Sequence, residues 1–67
     1  MQIQLNNNAV QVNENGNLLQ LLVQQQIADK KGIAVAVNNE VIPRSLWHQF
    51  ALNPNAHVTV FTASQGG

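Results

Sequence analysis

The chain reads as an α+β two-layer domain, with one helix covering one face of one small sheet. Three observations carry this. Period-two apolar alternation recurs at both ends of the chain, a single stretch repeats at helical spacing, and 67 residues leave room for one domain at most.

Ile3 and Leu5 alternate with Gln2 and Gln4, and Val10 and Val12 alternate with Gln11 and Asn13. These are two half-buried strands. Asn6-Asn7-Asn8 lies between them, and Asn tolerates positive φ in tight turns, so the pair forms an opening hairpin.

Asn15-Gly16 breaks the pattern. Asn17 then serves as N-cap, with Gln20 as its capping-box partner. Leu18, Leu19, Leu22, Val23 and Ile27 cover one side of a helix. Lys30 and Lys31 suit its negative end and Gly32 suits the C′ position, which predicts about three turns.

Ile33-Ala34-Val35-Ala36-Val37 is apolar on both faces, the mark of an interior strand. Asn38-Asn39 turns the chain into Glu40-Val41-Ile42, a short strand ended by Pro43. Arg44 to Leu52 is irregular or a short helical turn, anchored by Leu46, Trp47, Phe50 and Leu52. Asn53-Pro54-Asn55 is a turn, and His57 to Thr62 is the last strand. Residues 63–67 have nothing to pack and are expected to be a mobile tail on a single domain spanning 1–67.

Composition narrows the function. Three basic residues balance three acidic ones, so there is no basic stripe for nucleic acid or for an anionic membrane surface. The polar surface is built from ten Asn and nine Gln. With no cysteine, disulfides, thiol persulfides, Fe–S clusters and cysteine-ligated zinc are excluded for this chain. No secretory signal or membrane-length apolar run is visible, and a soluble cytoplasmic protein is the expectation.

Few side chains offer chemistry. His48 and His57 lack metal-ligand spacing; His48 reads as a surface or packing residue beside Trp47 and His57 as a strand-face residue. Ser45, Thr59, Thr62 and Ser64 have too few acids near them in sequence for a nucleophilic triad. Gly16 and Gly32 are singletons, not a phosphate loop.

The terminal Gly66-Gly67 remains. Glycine has no Cβ, so such an end threads a channel that excludes branched side chains. Its carboxylate is unhindered and, once activated as an acyl-adenylate, accepts sulfur or an amine. The dipeptide alone is equally compatible with a frayed end.

On one sheet face the alternation groups Ile3, Leu5, Val10, Val12, Val35, Val37, Val58 and Val60 against the helix. The other face then carries Gln4, Gln11, Ala34, Ala36, Thr59 and Phe61. Phe61, Ala34, Ala36 and the tail make a shallow docking patch; the alternative packs Phe61 under Trp47 or Leu46. Trp47 reads as a packing anchor. Arg44 either bonds carbonyls of the turn or contacts a partner.

A small sheet wrapping one helix and ending in Gly66-Gly67 resembles the ubiquitin-like β-grasp layout. The run from Ile33 to Trp47, an apolar strand and Asn turn leading into Ile42-Pro43-Arg44-Ser45-Leu46-Trp47, closely resembles the thiamine-biosynthesis sulfur carriers of the ThiS family. Ile42 stands where Val is common. The resemblance extends over essentially the whole chain. It implies a five-stranded mixed sheet in order 2-1-5-3-4 with first and last strands parallel. It also implies a carrier rather than an enzyme, with no cofactor bound. An adenylyltransferase of the ubiquitin-activating type would spend ATP to activate Gly67, with Gly66 giving unhindered approach. A sulfur donor protein would then convert Gly67 to a thiocarboxylate, and a thiazole synthase would receive the sulfur. Family members often carry more charge on the partner-facing surface than this chain does, which weakens electrostatic steering here. A molybdopterin-type sulfur carrier, a ubiquitin-like modifier and a β-grasp binding module without tail chemistry are the alternatives.

Overall fold

A computed structural model describes residues 1–62. The expected tail at 63–67, and with it Gly66 and Gly67, lies outside the described residues.

Five strands form one sheet in the order β2-β1-β5-β3-β4. They are β1 (Gln2–Leu5), β2 (Asn8–Gln11), β3 (Ile33–Val37), β4 (Glu40–Val41) and β5 (His57–Thr62). β1 and β5 are parallel and central, and the other pairings are antiparallel. This is the β-grasp order, and β3 is interior as its apolar sequence requires.

Two Asn pairs make the hairpins. Asn6 and Asn7 have φ of 49° and 71°, and Asn38 and Asn39 have 50° and 72°. Positive φ at both central residues is the type I′ turn, whose twist matches that of the flanking strands. Asn8, expected in the first turn, instead opens β2 opposite Leu5.

Helix α1 (Leu18–Gln24) begins with the expected capping box. The Gln20 amide donates to Asn17 Oδ1 at 2.8 Å, and the Asn17 amide donates to Gln20 Oε1 at 2.9 Å. The helix is shorter than the sequence suggested. Gln26 adopts φ 61°, the Gln26 amide donates to the Val23 carbonyl, and the Ile27 amide donates to the Leu22 carbonyl. That is a Schellman closure with glutamine at C′, and Ile27 packs back on the core beside Leu22. Lys30, Lys31 and Gly32 therefore lie beyond the helix, in the connection to β3.

The buried stripe is also rotated from the expected one. Leu18, Leu21 and Leu22 are buried, Leu19 is half-buried, and Val23 is 59% exposed. Below α1 the core takes Ile3, Val35, Val37 and Val58 from the sheet. Ile42, Trp47, Leu52 and Ala56 close it from the connections. A 3-10 helix at Arg44–Gln49 swings Trp47 into this core and leaves Leu46 exposed. Leu18 donates to the Phe50 carbonyl and Leu52 donates to the Gly16 carbonyl, so the 50–52 segment is stitched to the start of α1.

Candidate functional site

β5 is the strand that leads to residue 67, and both I′ turns grip it through their first asparagine. At its start, Asn38 Oδ1 accepts from the His57 amide at 2.9 Å, and the Asn38 amide donates to the His57 carbonyl at 2.8 Å. Near its end, Asn6 Oδ1 accepts from the Val60 amide at 2.9 Å, and Asn6 Nδ2 donates to the Val60 carbonyl at 3.2 Å. Neither clamp was visible as a pattern in the sequence. Both need strands brought together from distant parts of the chain.

The register settles which side chains share the uncovered face. Ala34 pairs with Phe61, and Ala36 pairs with Thr59 on one side and Val41 on the other. Partners in a ladder project to the same face. Phe61 is 43% exposed, so it does not pack under Trp47, which lies in the core on the opposite side of the sheet. Val41, 61% exposed, extends the apolar surface outward from Ala36. It was not anticipated, although the two-residue Asn38-Asn39 turn by itself places residue 41 opposite residue 36. The other half of the face, on β1 and β2, carries Gln2, Gln4 and Gln11.

Arg44 lies away from this patch in its bonding. Its Nη1 donates to the Ala28 carbonyl and its Nη2 to the Lys30 carbonyl, both at 2.9 Å. The guanidinium carbon sits 4.6 Å from the Trp47 ring centroid. Trp47 Nε1 in turn donates to the buried Ile42 carbonyl at 2.8 Å. Of the two roles expected for Arg44, carbonyl bonding is the one the geometry displays.

Among the described residues no cluster of His, Asp and Glu could hold a metal ion, and no pocket opens into the body. His48 and His57 are both exposed, and the described helices are too short and too polar to cross a membrane. What the arrangement offers is a flat apolar patch beside the strand that runs toward the terminal glycines.

The fold has close counterparts. The crystal structure of a thiamine biosynthesis protein (ThiS) from Geobacter metallireducens superposes with a TM-score of 0.86, at 23% identity over 100% of both chains. An NMR solution structure of a thiamine biosynthesis protein from the same organism gives 0.75 at 23% identity, covering 100% of this chain and 88% of that one. No curated protein matches at a significant level. The model of the ThiS family matches residues 2–67, from the first residue of β1 through both terminal glycines. The chain belongs to the ThiS family.

Proposed function

We propose that this chain is the sulfur carrier for thiazole assembly in thiamine biosynthesis. The observation that carries the reading is the family match, which runs through Gly66 and Gly67. An adenylyltransferase of the ubiquitin-activating type supplies ATP. The Gly67 carboxylate attacks its α-phosphorus, pyrophosphate leaves, and an acyl-adenylate forms. Sulfide delivered by a sulfur donor protein then attacks the acyl carbon, AMP leaves with the electrons of the C–O bond, and the resulting thiocarboxylate is consumed by a thiazole synthase. The chain contributes no catalytic side chain. It contributes an end without a Cβ and a body that an enzyme can hold.

Reach supports the docking patch. Five residues follow Thr62, and a fully extended chain covers at most about 18 Å over that length. An enzyme acting on Gly67 therefore has its reacting centre within about 18 Å of the end of β5. Phe61, with Ala34, Ala36 and Val41, is the apolar surface there, and its amide-rich surroundings favour encounter by shape and apolar contact over charge. Arg44 is assigned to the fold, where it braces the 28–30 connection.

ATP–pyrophosphate exchange tests the reading. Exchange catalysed by a cognate adenylyltransferase is expected to depend on this chain and to vanish when Gly67 is deleted or followed by one more residue. Undiminished exchange with the truncated chain would contradict it.

A further inference from the structure

β5 continues past the point where its parallel neighbour turns away. β1 ends at Leu5, opposite Val58, and the backbone reverses at Asn6. Beyond that point, among the described residues, no strand pairs with the Val60 amide and carbonyl on that side. The Asn6 carboxamide meets both groups. A carboxamide carries the same donor and acceptor as a peptide unit, so the side chain serves as one more rung of the parallel ladder. On the other side, β3 pairs with β5 as far as Ile33 opposite Thr62. The two supports end within two residues of each other, at the root of 63–67.

We propose that Asn6 is a positioning residue for the chemistry at Gly67. Its carboxamide holds β5 in strand geometry through Val60 and so fixes the position of Thr62, the residue from which the chain continues to Gly67. This rests on the carrier reading above. A reacting carboxylate delivered from a displaced root reaches its attack geometry less often, and small misplacements cost heavily in rate.

Asn38 supplies the control. It grips the same strand through the same carboxamide oxygen, but at His57, the end remote from the tail. Asn6→Gly removes both carboxamide bonds to Val60, and Asn38→Gly removes the carboxamide bond to His57 while the backbone amide at 38 still donates to the His57 carbonyl. Glycine accepts the φ of 49° and 50° found at these positions, so both turns keep their backbone.

The experiment compares the full-length wild type and both variants. It measures amide hydrogen exchange by NMR, unfolding in urea, calorimetric affinity for the adenylyltransferase, and the steady-state rate of carrier-dependent pyrophosphate release. In N6G the Val60 amide is expected to exchange about tenfold faster, the loss of one hydrogen-bonded rung. N6G loses somewhat more stability than N38G and both keep the wild-type affinity, yet kcat/KM falls roughly tenfold further in N6G than in N38G. Equal kcat/KM for the two variants, or an unchanged Val60 exchange rate in N6G, overturns the positioning role and leaves the carrier function standing. Failure of the wild type to be adenylated overturns the carrier reading itself, and the role of Asn6 with it.

Discussion

The guanidinium of Arg44 lies over the indole of Trp47, 4.6 Å from its centroid, while its two terminal nitrogens hold the carbonyls of Ala28 and Lys30. One side chain thus fastens the connection leaving α1 to the 3-10 helix that seats the core tryptophan. The fork is what makes this possible, because lysine has a single ammonium and no plane to stack. Arg44→Lys is expected to lose about 1–2 kcal/mol in urea unfolding, close to the loss from Arg44→Ala. Full rescue by lysine would show that charge alone is at work.

Trp47 has its own obligation. Its Nε1 satisfies the buried Ile42 carbonyl at 2.8 Å. Trp47→Phe keeps most of the apolar bulk but leaves that carbonyl unpaired, at a cost of about 1–3 kcal/mol. Thermal and urea unfolding measure it, and a variant as stable as the wild type would mean the bond contributes nothing.

Phe61 is expected to separate binding from folding. With 43% of its surface already exposed, Phe61→Ala leaves stability nearly unchanged, within about 1 kcal/mol. Affinity for the adenylyltransferase should fall, as read by calorimetry, and Val41→Ser should weaken it in the same direction. A large fall in melting temperature for Phe61→Ala would place this ring in the core instead.

Gln26 offers a gain. It sits at φ 61° as the C′ residue of α1, a conformation that strains any side chain with a Cβ. Gln26→Gly is expected to stabilise the protein by about 0.5–1 kcal/mol, the strain relieved less the added entropy of the unfolded chain. A destabilised variant would mean that the glutamine side chain makes up for its backbone.

These cases mark what could be read from the residues. Alternation placed Ile3, Val35, Val37 and Val58 in the core and Phe61 on the open face, because strand periodicity is a local property. The capping box at Asn17 and Gln20 was equally local. The end of α1 was misjudged because glycine and lysines are the usual stop signals, and here a glutamine takes the left-handed position six residues earlier. Val23, expected on the buried side, is exposed and Leu21 is buried, because the helix axis is set by what it packs against. The sheet order came from resemblance to a family, not from periodicity, and the grip of Asn6 and Asn38 on β5 exists only after folding. Of the site residues, Ala34, Ala36 and Phe61 share one face as expected, Arg44 turns to the fold, and Gly66 and Gly67 lie beyond the described residues.

The central claim concerns one atom of the terminal residue. Intact-mass spectrometry of the chain after incubation with a cognate adenylyltransferase, ATP and a sulfur donor tests it most directly. The account predicts a species in which one carboxylate oxygen of Gly67 is replaced by sulfur, and fragmentation should place the change on that residue. A chain recovered with its carboxylate intact, or joined through Gly67 to lysines of other proteins, would contradict it.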